Sequence, residues 1–222
     1  MKTSEQIFIN TQRSESFPAA ALLSLSGGLQ DAYTYIARGK VYANAQTGNI
    51  VLLSKNLFEG RFDVMIRYFI PLFFFALGVA VAEWIRHGFQ DFQGLHWRQL
   101  VLIIEIFLLF LVGFFPQPLN FLANALVSFS CAMQVQTFRK VNSYQYASTM
   151  CIGNLRSGME AFSHYQMTHD KAFFHRFLHY FGVILVFALG AGLGSLFVPR
   201  WGMHTIWISC LLLFVDFILM FF

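Results

Sequence analysis

Asn44-Ala45-Gln46-Thr47-Gly48-Asn49 is the stretch on which the fold of this chain turns. It is polar, carries a glycine, and interrupts a run of apolar sequence. Immediately before it, residues 19–36 read as an apolar helix that holds Ser24, Ser26, Gly27, Gly28, Gln30, Asp31 and Thr34. A helix surrounded by lipid could not carry that set, so one of its faces must meet protein or water. After the break, Ile50-Val51-Leu52-Leu53 runs only as far as Ser54-Lys55-Asn56. That is too short to cross a hydrocarbon core, which takes roughly 20 residues. The pattern predicts a half-helix or re-entrant segment over 47–57. Two longer apolar stretches follow, at about 64–84 with Pro71, Gly78 and Glu83, and at about 99–115 with Glu105 near its middle.

The same order recurs in the second half of the chain. An apolar stretch at about 121–138 precedes a second break, Cys151-Ile152-Gly153-Asn154, and a short segment over 155–164 carries Arg156, Ser157 and Glu160. Two more apolar stretches follow, at about 177–198 and 203–222, the last with Asp216. Residue by residue, Ala21 to Ser26 with Gln30 matches Ala125 to Ser130 with Gln134, and Thr47-Gly48-Asn49 matches Ile152-Gly153-Asn154. Phe75-Ala76-Leu77-Gly78 recurs as Phe187-Ala188-Leu189-Gly190, and Glu105 has a counterpart in Asp216. Four matches in one order point to a duplication. The expected architecture is an all-α polytopic membrane protein of six transmembrane helices and two re-entrant half-helices, in two inverted repeats. Residues 1–17 form a polar tail, and the membrane domain covers 18–222, with repeat one at about 18–115 and repeat two at about 120–222.

Composition agrees. Hydrophobic residues make up 57% of the 222 positions and charged ones 12%, with 28 phenylalanines and a mean hydropathy of +0.57. Soluble domains carry about a quarter charged residues, so this much apolar surface has to face a lipid bilayer. The basic residues lie between apolar runs rather than along one face, which argues against nucleic acid as a partner. With six spans, nine lysines and arginines fall on the N-terminal side and six on the other. The positive-inside rule then sets both termini in the cytoplasm. The first 17 residues lack the basic-then-apolar order of a cleaved signal, so the first apolar segment is expected to stay as an anchor. Cys131, Cys151 and Cys210 all sit in apolar segments and suggest neither a disulfide framework nor a zinc site. His175 and His179 stand four apart, but the glutamate of a metalloprotease helix is missing. Gly190 and Gly194 form a small-xxx-small packing face, repeated more weakly by Gly78 and Ala82. No cofactor, no reactive constellation of an enzyme and no nucleotide loop can be read from the chain. Exposed aromatic surface would allow a homodimer.

Broken helices are tolerated in a membrane only where protein or a water-filled cavity satisfies the freed backbone groups. Discontinuous helices near the midplane form the sites of inverted-repeat transporters. Gln30, Asp31, Asn44, Thr47, Gly48, Asn49, Gln134, Gly153, Asn154 and Arg156 are therefore the expected solute-binding residues. Asp31 and Glu105 are candidate proton carriers. Asp31 and Arg156 have apolar counterparts in the opposite half and opposite charge, which invites a pair across the pseudo-axis. The competing reading makes the glycines helix-crossing points, Asn49 a turn cap, and the amides and hydroxyls glue between helices.

Gly27-Gly28-Leu29-Gln30-Asp31-Ala32, then Asn44, Thr47-Gly48-Asn49 and Val51-Leu52-Leu53, resemble the bacterial YoaK family, which carries the DUF1275 domain. Met133-Gln134-Val135-Gln136 through Ile152-Gly153-Asn154-Leu155-Arg156 resemble it as well, so the likeness covers the chain from about Phe17 to Phe222. The resemblance implies a multi-pass protein of the bacterial cytoplasmic membrane, with suspected small-molecule permeation. It carries over no functional residue. The expectation is a permease for a small polar or anionic solute, its site between the breaks and proton-coupled. The alternative is a membrane scaffold or stress-response partner.

Overall fold

In the computed structural model, a helical bundle buries polar side chains alongside an apolar core and turns many large apolar side chains outward. The structure describes residues 13–89, 96–142 and 144–220. The first helix, α1 (Phe17–Ala37), starts where Ser16 accepts the Ala19 N–H at 3.4 Å and Pro18 fills the first turn, a position where the missing proline N–H costs nothing. Ser24, Ser26, Gln30 and Thr34 on α1 are fully buried. By contrast α3 (Phe62–Phe89) buries only Pro71, Gly78 and Ala82, and turns Phe69, Phe73 and Trp84 outward. That inside-out distribution suits a lipid surround. Two stretches among the described residues are long and apolar enough to cross a membrane, Phe62–Phe89 and Lys171–Leu219.

The remaining elements are α2 (Gln46–Phe58), α4 (Trp97–Val112), α5 (Asn120–Thr137), α6 (Cys151–Thr168), α7 (Lys171–Trp201) and α8 (Ile206–Leu219). Short 3-10 turns precede α1, α5 and α8. Two strands that sequence reading missed, β1 (Lys140–Val141) and β2 (Tyr144–Gln145), pair antiparallel between α5 and the second break. Each is two residues long, and no alternating pattern could have marked them. The half-helix expected over 47–57 runs over 46–58, but the one expected over 155–164 extends to 151–168. The second is longer because Cys151, Ile152 and Gly153, read as part of the break, are helical, and the chain stays helical until His169 turns it at φ 54°.

Glycines decide which helices lie together. Gly28, Gly190 and Gly194 press α1 and α7 into backbone contact, and a Cβ on Gly194 would stand 2.8 Å from the Ala32 Cβ. Gly78 lets α3 approach the Phe129 carbonyl of α5. Both pairs run parallel: Gly182 meets Phe17 while Gly194 meets Ala32, and Gly78 meets Ala132 while Glu83 meets Gln136. The helices α1 and α5 run antiparallel, since Gln134 donates to the Leu23 carbonyl at 3.3 Å and Asn124 to the Arg38 carbonyl at 2.8 Å. So do α4 and α8, where Trp207 donates to the Phe110 carbonyl at 3.1 Å. Their shared interface buries Leu102, Leu109, Ile206 and Leu213 completely.

Candidate functional site where two broken segments meet

Both broken segments enter the bundle and turn back inside it, from opposite ends. The first leaves the far end of α1, where Arg38 is anchored. It descends to Asn44, whose N–H donates to Asp31 Oδ1 at 2.8 Å and whose Nδ2 reaches the Gly27 carbonyl at 3.4 Å. Then α2 returns to the end from which the segment came, packed on α3. The second leaves the N-terminal end, where the Asn142 N–H donates to the Glu15 carbonyl at 2.7 Å. It descends until the Thr149 methyl fills the space that a Cβ on Gly27 would need. From there α6 runs back antiparallel to α7, with Phe162 against Phe177. Gly27, midway along α1, is thus the point on which both segments converge.

The two asparagines of the breaks do the same work. Asn49 Nδ2 donates to the Tyr42 carbonyl at 2.7 Å, and Asn154 Nδ2 to the Ala147 carbonyl at 2.7 Å. In both cases the fourth residue of a half-helix grips a carbonyl seven positions upstream and holds the extended segment against its own helix. Gln46 adds donations to the Ala43 carbonyl at 2.7 Å and to Ser128 at 3.3 Å. Neither α2 nor α6 has a side-chain N-cap, so their first backbone N–H groups remain unclaimed by capping side chains.

Around Gly27 the polar groups are enclosed. Gln30 donates to Ser26 at 2.9 Å and accepts the Cys131 thiol at 2.8 Å. Gln134 also donates to Ser148 at 2.6 Å. Asp31 is 8% exposed and Asn44 5%, and among the described residues nothing donates to the side-chain amide oxygens of Asn44 and Gln134. Buried acceptors left bare in this way are costly unless a ligand or another conformation satisfies them. Thr47 and Gly153 are exposed and Gly48 is half-buried, so these three stand at the outer rim rather than at the centre.

The expected Asp31–Arg156 pair does not form. Arg156 lies on the exposed face of α6, while the Asp31 carboxylate accepts the Asn44 N–H from the opposite break. The other charges sit deeper than the letters suggest. Glu105 on α4 and Asp216 on α8 are both fully buried, neither carboxyl has a hydrogen bond among the described residues, and the Gln30 amide lies beside Glu105. Arg38, which reads as part of a loop, is 1% exposed. It donates to the Tyr33 hydroxyl and to the Val112 and Phe115 carbonyls at 2.8 Å each, and to Asn120 at 3.1 Å. It anchors the end of α1 with no acidic partner among the described residues, and no sequence signal marked it. His175 and His179 do not converge on one site: His175 contacts the Lys171 carbonyl at 2.7 Å and His179 contacts Asn142 at 3.3 Å.

A family model described as "Protein of unknown function (DUF1275)" matches residues 19–219, which is nearly the whole chain and includes both breaks. The chain belongs to the DUF1275 family. Within it, the chain is 26% identical over 201 residues to the UPF0700 transmembrane protein YoaK of Bacillus subtilis (strain 168). That alignment covers 87% of this chain and 89% of the relative's length. No solved structure matches. With a transmembrane relative along almost its full length and an apolar exterior, this DUF1275 chain is a membrane protein.

Proposed function

We propose that this DUF1275 protein is a secondary permease of the bacterial cytoplasmic membrane. It would carry a small polar or anionic solute between the two broken segments, with both termini in the cytoplasm. The observation that carries the reading is the convergence of both segments on Gly27 beside the Asp31 carboxylate. Segments entering from opposite ends offer each end of the bundle its own half-path to one centre, which is what alternating access requires. Asp31 and Glu105 serve as the proton carriers: one carboxyl sits at the junction, and the other is enclosed one helix away.

The packing supports two inverted halves. Exchanging α1 with α5, α2 with α6, α3 with α7 and α4 with α8 maps the contact of α1 with α7 onto that of α5 with α3. The same exchange maps the contact of α1 with α8 onto that of α5 with α4. Gly190 faces the Leu25 carbonyl and Gly78 the Phe129 carbonyl, both at matching positions of the two halves. Antiparallel α1 and α5 support halves of opposite orientation, as six full spans with two re-entrant segments would have.

Flux in proteoliposomes tests the proposal, with pooled anionic and neutral metabolites under an imposed pH gradient. Wild type should accumulate at least one solute with coupled proton movement. Asp31→Asn, which keeps an acceptor for the Asn44 N–H, should remain folded and lose the proton-coupled component. Wild type that is folded and inert toward every pool would shift the reading to a scaffold, and an Asp31→Asn variant with unchanged coupling would remove Asp31 as a proton carrier.

A further inference from the structure

The second half-helix, α6, turns three faces to three surroundings. Asn154, Gly158 and Ala161 are buried toward α7. Ile152, Leu155 and Met159 are exposed and apolar, which suits lipid. Gly153, Arg156, Glu160 and Ser163 are exposed on a third line. Their spacing of three and four residues makes them neighbours in one polar stripe along the helix. We infer that this stripe is the seam of a homodimer, in which α6 of one copy packs on α6 of a second copy.

Depth carries the argument. The helix starts just after Thr149, which meets Gly27 halfway along α1, and runs outward until Gly158 packs against Tyr180 and Phe181. Those two residues belong to the apolar stretch Lys171–Leu219. Arg156 comes before Gly158 on the outward course, so it sits deeper still, and a charge at that depth has to meet water or protein. Among the described residues the side chains of Arg156 and Glu160 have neither a hydrogen bond nor an ion pair. Arginine four residues before glutamate is the poorer order for a pair within one helix, and both charges are left for a partner.

Water along a path shared by the two half-helices would call for charge on both. At the matching positions α2 exposes Val51, Lys55 and Phe58, with Val51 62% and Phe58 91% exposed. The doubly charged stripe thus belongs to one half alone, which fits a protein contact better than a common path. Copies inserted under one charge rule share an orientation, so the two-fold axis stands along the membrane normal and the paired α6 helices run parallel. Arg156 then reaches Glu160 of the second copy, about 6 Å further along the helix, and the symmetry makes the pair twice. Gly153 and Ser157 add a small-xxx-small pair beside it, and a Cβ on Gly153 would have nothing within 4 Å. That leaves the room which close helix approach requires. The inference goes beyond the permease reading and does not depend on it.

The test uses the full chain, first in native membranes with Cys131, Cys151 and Cys210 replaced. Under mild oxidation Gly153→Cys should give a covalent dimer, and Met159→Cys, on the apolar face, should not. Energy transfer between labelled copies in phosphatidylcholine liposomes, followed as added lipid dilutes them, then reads the dissociation constant. Arg156→Glu and Glu160→Arg each set like charges against one another and should raise it at least about tenfold. The double variant Arg156→Glu/Glu160→Arg restores opposite charges and should return it close to the wild-type value. Thermal unfolding should be unchanged in all three, because both side chains are exposed in the single copy. A wild type that stays monomeric at every dilution, or equal cross-linking of the two cysteine variants, overturns the inference. So does a dissociation constant that neither single reversal moves, or one that the double variant fails to restore.

Discussion

Asn49 and Asn154 show how one side chain can make a polar break compatible with a membrane interior. Each amide satisfies a carbonyl that the interrupted helix has freed, and an unmet carbonyl in an apolar setting costs about 1–3 kcal/mol. Asn49→Ala and Asn154→Ala should therefore each lower the unfolding free energy in detergent by about 1–3 kcal/mol, with similar effects at the two positions. Thermal unfolding of the purified variants reads this directly, and a neutral result at either one would show that its amide bond carries no weight. The letters marked both residues as important. They did not reveal that the two share one geometry, because the carbonyl they grip lies seven positions back along a segment whose path only packing fixes. Asp31 was legible in the same partial sense. As a charge inside an apolar helix it had to have a partner, yet that partner is a backbone N–H of the first break rather than Arg156.

At the scale of elements, helix contacts rest on the absence of side chains. Gly190 on α7 meets the Leu25 carbonyl of α1, whereas Gly192, two residues on, has nothing within 4 Å. Gly190→Val should force α1 and α7 apart and destabilise the bundle by about 1–3 kcal/mol or more, as overpacking does. Gly192→Val should be close to neutral. Comparing the two by monodispersity and midpoint of thermal unfolding tests whether the contact is as close as described. The small-xxx-small spacing of Gly190 and Gly194 was readable in the chain, and so were the apolar spans, because composition and periodicity are local. The hairpin at Lys140–Gln145 was not. Its pairing is supported by contacts from α7 and from the 3-10 turn before α1, with Tyr180 donating to the Gln145 carbonyl at 2.8 Å and the Asn142 N–H to the Glu15 carbonyl.

At the scale of the whole molecule, the inverted reading makes a topological demand. The turn after α2 and the turn after α6 should lie on opposite sides of the membrane. With Cys131, Cys151 and Cys210 replaced, Glu59→Cys and Gln166→Cys place single thiols at exposed positions near those turns. A membrane-impermeant maleimide should label one in intact cells and the other only in inverted vesicles. Labelling of both from the same side would rule out the inverted arrangement.

The letters alone carry the properties that add up locally. They include enough apolar surface to require lipid, two polar breaks at matching places in the chain, glycines spaced for helix contact, and acids that must be enclosed. Tertiary structure alone decided that both breaks end at Gly27, that Arg38 is buried on carbonyls, and that Arg156 faces outward. The reason is physical. A polar group in a membrane protein must be satisfied, but which donor meets which acceptor depends on helices tens to more than a hundred residues apart being brought to one depth. No local pattern encodes that depth; the packing of α1 on α7 and of α3 on α5 sets it.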